Sequence, residues 1–171
     1  MSDLAAVLDE AWGLLARGGL VTVCTVSGGA PRARTVVLRE TDRAQGRVGF
    51  YTDARSTKVR EITENPQVAL LIWREPAQVQ LRLTGRATVE TGLTDLWQTI
   101  PEDRREPYSH QPAPGTPIPA ADAWEEQPAP EHFARVTVTL DTIEHVSLAN
   151  SGHTRALFSS RDRWGGQWMS P

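Results

Sequence analysis

Cysteine is nearly absent. The chain holds one, Cys24, so no disulfide can form within it and no thiolate cluster can gather a metal. Cys24 lies in the apolar run LVTVCTV and reads as a small buried hydrophobe, not a nucleophile or redox centre. An excess of positive charge is missing too. The 18 Lys plus Arg residues face 21 Asp plus Glu, a formal net charge of −3, which offers no general attraction to nucleic acid or to anionic membranes. No apolar run approaches the roughly 18 residues of a membrane span, and Asp3, Asp9 and Glu10 break any signal-like start. The expectation is a soluble, cytoplasmic protein. His110, His132, His145 and His153 have no i, i+4 pairing and no acidic or cysteine companion at metal spacing, so no metal site is expected. G-x-G-x-x-G, the P-loop and G-x-S-x-G are all missing, which removes the standard nucleotide and hydrolase signatures.

What is present is a run of β patterns in a chain of 171 residues, long enough for a single domain over 1–171 with a substantial core. Leu4, Leu8, Ala11, Trp12 and Leu15 fall on one face at helical spacing, and Gly18-Gly19 stops that helix. GLVTVCTVS and PRARTVVL flank Gly28-Gly29 and predict a hairpin. After a polar turn, RETDRAQG, comes the strand RVGFYT, then a helix from about Ser56 to Glu64 ended by Asn65-Pro66. QVALLIW, AQVQLRLTGRATVE and ARVTVTLDTIEHVSL add strands, TGLTDLWQTI a short helix, and TRALFSS and GQWMSP two shorter strands. About seven strands and three helices, with hairpins dominating, predict a mainly β fold: an antiparallel barrel with peripheral helices. Residues 101–130 differ, carrying eight of the twelve prolines. Such a segment is no core strand; it is a structured loop over a site or a surface excursion, and the first is favoured.

The stretch FYTDARSTKVREITENP runs an apolar strand into Tyr51 and Thr52, then into Ser56, Thr57 and Lys58 where a helix begins. Helix capping accounts for one or two such polar residues. Several hydroxyls, a cation and free helix N–H groups at one point also describe an anion site suited to phosphate. In PRARTVVLRE, alternation sets Arg34 on one face and Arg39 on the other, so the two converge only if the chain bends near the strand end. Taken singly, each arginine also fits a solvated sheet face. Gln78, Gln80 and Arg82 share one face of the fifth strand, where an amide can read a heteroaromatic edge or simply face water.

The ordered set RTVVLRE, FYTDARSTKVREITENPQVALLIW, VQLRLTGRA and WGGQWMSP resembles the pyridoxamine 5'-phosphate oxidase-like flavoproteins. The likeness is strong over about residues 20–90 and weak over 133–171. It implies the FMN-binding split barrel and FMN as cofactor. Arg34, Thr35, Val36, Val37, Leu38 and Arg39 would lie along the flavin, with Arg39 replacing a lysine usual there. Tyr51 and Thr52 would contact it, and Ser56, Thr57 and Lys58 would hold its phosphate, with Thr57 standing where many members have arginine. Gln80 matches a glutamine reaching across from a second subunit, which implies a homodimer with flavin at the interface. Arg155 matches a late flavin-contacting arginine. Where the vitamin B6 phosphate oxidases carry Arg-x-His, this chain has Ser151 and His153, which implies a substrate other than pyridoxamine phosphate. His153 is the candidate acid or base, and a structural histidine is the alternative. The implied activity is hydride transfer between a small substrate and flavin N5; the alternative is a non-catalytic flavin- or haem-binding barrel.

Overall fold

The computed structural model describes residues 3–149 and 152–171. Ser151 lies outside the described residues. Helix α1 (Leu4–Ala16) starts where the Asp3 carboxylate accepts the Ala5 N–H at 3.2 Å, the usual way an N-cap satisfies a helix donor. Strands β1 (Gly19–Ser27) and β2 (Ala30–Asp42) form a hairpin closed by Gly28-Gly29, both at positive φ, as a two-residue turn requires. β3 (Arg47–Asp53), helix α2 (Thr57–Glu64), β4 (Gln67–Arg74) and β5 (Val79–Thr91) follow. α3 (Thr94–Thr99) opens the proline-rich segment, which contains a two-residue pair, β6 (His110–Gln111) and β7 (Glu125–Glu126). β8 (Phe133–Ser147), β9 (Thr154–Ser159) and β10 (Gly165–Met169) complete the chain.

The strand order is β10-β9-β8-β3-β2-β1-β4-β5, and β5 pairs back onto β8. Six strands therefore close into a barrel, with β9 and β10 as a flap extending from β8. All pairings are antiparallel. The fold is the expected mainly β split barrel with peripheral helices. β8 is its spine: residues 133–139 pair with β3, residues 134–147 with β5 and residues 142–147 with β9. The strands alternate as a half-buried sheet must. In β5, Val79, Leu81 and Leu83 point into the barrel while Arg82 and Thr84 point out. Phe50, Leu70, Ile72, Val136, Val138 and Ile143 fill the interior, each nearly inaccessible to water and each contributing about 1.5–3 kcal/mol of apolar transfer. α1 lays Ala11, Trp12 and Leu15 against this core, and the Arg74 side chain closes the helix by donating to the carbonyls of Leu14 and Gly18.

The segment 101–130 is structured. Its own apolar knot joins Trp97, Ile100 and Tyr108 to Phe133, with Tyr51 packed alongside. Three sequence readings change. Gln78 does not share a strand face with Gln80 and Arg82: it ends the short helical turn Glu75–Ala77 in a left-handed conformation, φ 49°, and β5 starts after it. β2 runs to Asp42, through half of the expected polar turn, because Thr41 and Asp42 still pair with Val48 and Arg47. Cys24 is half-buried, not core, because strand alternation turns it to the outer face beside Ala69 and Leu71.

Candidate functional site

The junction between β3 and α2 is built around a clamp. The Asp53 carboxylate accepts from the Arg55 backbone N–H at 2.8 Å, from Nε at 3.0 Å and from Nη2 at 2.6 Å. That fixes the tight turn ahead of the helix. Ser56 occupies the N-cap position with extended backbone, yet its side chain makes no capping bond. Its Oγ instead faces the Thr52 Oγ1 at 3.4 Å, and Lys58 Nζ donates to that same Thr52 oxygen at 2.9 Å. Thr52 and Ser56 are both buried. Among the described residues, the backbone N–H groups of Thr57 and Lys58 have no acceptor. Two hydroxyls, an ammonium and two helix N–H groups thus converge with spare donor capacity, which is what a phosphate monoester needs. Burial pushes the Lys58 ammonium below its ordinary pKa, and the neighbouring Arg34 charge pushes the same way, against Asp53 and Glu61. An anion placed there would favour the charged ammonium and so work against both effects.

Arg34 stands at the flank of this cradle on the barrel-facing side of β2. Its Nη2 donates to Glu61 at 2.5 Å and its Nη1 to the Thr25 hydroxyl at 2.5 Å, while Thr25 donates to Glu61 at 2.6 Å. Glu61 is 3% exposed. Burial alone would raise its pKa, but the Thr25 hydroxyl and the Arg34 guanidinium outweigh that and hold the carboxyl below its usual range.

Arg39 reaches a second place. The β2–β3 register shifts between Leu38 and Glu40, so Arg39 is the extra residue of a bulge. A bulge re-aims one side chain while the strand continues. Here it supplies the bend that regular alternation denies. Arg39 lines a cleft of about 170 Å³ with Tyr51, Thr99, Ile100, Pro101, Arg104 and Tyr108. Two guanidiniums and two phenols line it and no carboxylate does. The Tyr51 hydroxyl donates to Glu40 at 2.8 Å, and Arg135 lies between Glu40 and Glu90. Burial, and next the Glu40 bond, push the Tyr51 phenol up to about 12.

The remaining expected residues separate. Val36 and Val37 are half-buried, Thr35 is exposed, and Leu38 is 2% exposed, so Leu38 can offer only backbone. Gln80 sits on the outer face of β5, in one cross-strand row with Trp73, Val146 and Arg155. Arg155 Nε lies 2.7 Å from Glu144, which also takes Arg82 at 3.2 Å. His153 is exposed in the segment before β9. The structure therefore gathers Arg34, Thr52, Ser56, Thr57 and Lys58 at one point and Arg39 with Tyr51 at a second. It leaves Gln80 and Arg155 on the outer face of the barrel, turned away from the inward-pointing Arg34. Arg55, Glu61, Arg104 and Tyr108 are site residues that the pattern did not single out. Only Arg55, beside Ser56 in the quoted stretch, carried a signal.

The sequence model of the family described as "Pyridoxamine 5'-phosphate oxidase, FMN-binding domain" matches residues 16–91. A pyridoxine/pyridoxamine 5'-phosphate oxidase of Nostoc sp. is 45% identical over 58 residues, covering 34% of this chain and 26% of the relative. The chain spans between about a quarter and under a half of the curated relatives it matches. A pyridoxamine 5'-phosphate oxidase-related, FMN-binding protein of Nostoc punctiforme superposes with TM-score 0.77 at 20% identity, over 100% of this chain and 98% of that one. PhzG of Burkholderia lata, in complex with tetrahydrophenazine-1-carboxylic acid, superposes with TM-score 0.75 at 18% identity, over 100% and 94%. These two share the fold.

Proposed function

We propose that the chain belongs to the pyridoxamine 5'-phosphate oxidase-like FMN-binding split-barrel family, whose model its residues 16–91 match, and that it is an FMN-dependent oxidoreductase acting on a small anionic substrate. The observation that carries this reading is the set of unspent donors at the β3–α2 junction. Ser56 declines to cap its own helix, two N–H groups stay open, and Lys58 has a single hydroxyl partner. That donor set fits a phosphate dianion and exceeds what capping needs.

In this reading Thr52, Ser56, Lys58 and the Thr57 N–H hold the phosphate, and Arg34 stands by as a second cation. The backbone of Val36 to Leu38 lies along the ring, and Tyr51 marks the passage from the cradle to the cleft. FMN, when bound, supplies hydride exchange at its N5. The chain's own residues do the binding and orienting. Arg39 and Arg104 attract a carboxylate or phosphate on the substrate, and the Trp97–Tyr108–Phe133 knot keeps water from the inner wall. His153 is the acid–base candidate, being the histidine on the late segment that carries Arg155.

A second copy of the chain completes the site. Gln80 and Arg155 lie on the outer face, away from Arg34, so one ligand reaches both groups only if another protomer presents them. The same face exposes Leu20, Leu71 and Trp73, apolar surface of the kind a homodimer covers.

The test is the visible spectrum and an FMN titration of purified protein. A yellow protein, or one that takes up FMN with quenching of flavin fluorescence, is expected, and Lys58→Ala should weaken uptake about tenfold or more. Protein that refuses added FMN would end the proposal. Bleaching by a reductant and recovery with an acceptor would separate an oxidoreductase from a flavin carrier.

A further inference from the structure

The proline-rich segment and the residues just after it meet the junction through two hydrogen bonds and one close approach. The Arg55 guanidinium, already held by Asp53, donates to the His110 carbonyl at 2.8 Å. The Ala54 N–H donates to the His132 carbonyl at 2.7 Å. Between these anchors the chain crosses the start of α2 so closely that a Cβ on Gly115 would stand 3.4 Å from the Thr57 hydroxyl oxygen. Gly115 has φ +89°, a conformation that glycine adopts without strain.

The crossing is stiff as well as near. The Thr116 N–H closes a turn onto Ala113 at 3.1 Å, and the Gln127 N–H bonds the Ser109 carbonyl at 2.7 Å. β6 pairs with β7, and the His110 and Trp124 rings lie 4.3 Å apart. Tyr108, buried in the apolar knot with Trp97 and Phe133, pins the near end. Closely spaced prolines restrict what conformational freedom remains.

We propose that this segment is a fixed strap across the phosphate end of the site, selecting a flavin monoester and rejecting flavin phosphodiesters. The inference rests on the reading in the preceding subsection and adds a specificity to it. A monoester ends in oxygens that the Thr52, Ser56 and Lys58 donors can take up. A diester such as FAD, or a deazaflavin whose phosphate carries a further chain, needs a way out beyond the phosphate. At the α2 start that way is taken by the backbone around Gly115. The side chain at position 57 fits the same account: a threonine hydroxyl is short enough for the strap to pass over it, where a long cationic side chain would have to be displaced. Specificity then comes from a clash built against the wrong ligand as much as from bonds to the right one.

The experiment compares binding of FMN, riboflavin, FAD and the methyl ester of FMN to the full-length chain, read by flavin fluorescence and calorimetry. It is repeated on Arg55→Ala and on a chain whose residues 112–124 are replaced by a short Gly-Ser linker. The wild type should bind FMN about a hundredfold more tightly than FAD and should also reject the methyl ester; in both variants the FMN-to-FAD gap should shrink to about tenfold or less. The residual gap is the charge that any diester lacks. FMN and FAD binding equally to the wild type would overturn the strap and leave the FMN reading intact, as would a gap unchanged in both variants. Should the shortened chain fail to fold, Arg55→Ala and the methyl ester still decide the matter. Failure of FMN, riboflavin and FAD alike to bind the wild type would bring down the functional reading and the strap with it.

Discussion

Glu61 and Arg34 meet at 2.5 Å against the barrel wall, with the Glu61 side chain 4% exposed. The pair sets the charge balance of the cradle: Lys58 and Arg34 bring two positive charges and Glu61 cancels one. Glu61→Gln keeps an acceptor for Arg34 and removes the negative charge, so FMN affinity should rise by about threefold to tenfold, a modest Coulomb gain at a partly screened site. Glu61→Ala should instead cost about 3 kcal/mol of stability by stranding Arg34. Fluorescence titration and chemical denaturation read the two effects separately. Glu61 is held below its unfolded pKa, so its contribution is complete above the ordinary glutamate pKa and disappears as acid takes the pH down through the folded value.

Tyr51 offers a spectroscopic check on the second part of the site. Its phenol is raised to about 12 by burial and by the bond to Glu40. Burial raises the Tyr108 phenol too, so ultraviolet absorbance should show both tyrosines ionising above the ordinary range, and Glu40→Gln should bring down the Tyr51 step alone. The stability that Tyr51 contributes is full below the ordinary tyrosine value of 10 and is lost as pH rises through about 12. An unshifted step in Glu40→Gln would refute the assignment of that bond.

His145 predicts the acid limit. It is buried in β8 with Nε2 3.2 Å from the Glu10 carboxylate of α1. Burial lowers its pKa below the ordinary histidine value of 6.5, and Glu10 works in the opposite direction. The unfolded chain therefore binds the proton more readily, and stability falls as pH drops below about 6.5. Removing the counter-charge in Glu10→Gln should steepen that fall. Melting temperatures across the neutral to mildly acidic range test it, and a variant with a flatter profile than wild type would contradict it.

The outer face makes the assembly testable. Leu71 and Trp73 are 41% and 43% exposed on β4, beside Leu20 on β1. Leu71→Arg with Trp73→Arg should give a folded monomer by sedimentation, with FMN affinity down about tenfold or more as the partner's contribution is lost. A wild type that sediments as a monomer while binding FMN tightly would remove the second copy from the account.

The strands were legible because alternation in GLVTVCTVS or VQLRLTG is a local consequence of burying one sheet face. The grouping of Thr52, Ser56 and Lys58 was legible because the three lie within seven residues of each other. Arg39 was not, since a one-residue register shift against β3 leaves no mark in the strand's own sequence. Glu61 was hidden differently. In KVREITE it looks like any solvated helix carboxylate, and its partners Arg34 and Thr25 are 27 and 36 positions away. The course of residues 101–130 depends on Arg55 reaching the His110 carbonyl and on Gly115 passing the Thr57 side chain, which proline content alone does not specify.

The threefold pairing of β8 has a consequence for synthesis at the ribosome. Until residue 133 and those after it emerge, β3 and β5 both wait with one side unmatched, and the apolar wall they flank cannot be sealed. Nascent chains halted before that point should recruit holdase chaperones or precipitate, and emergence of β8 should act as the latch that commits the barrel at once.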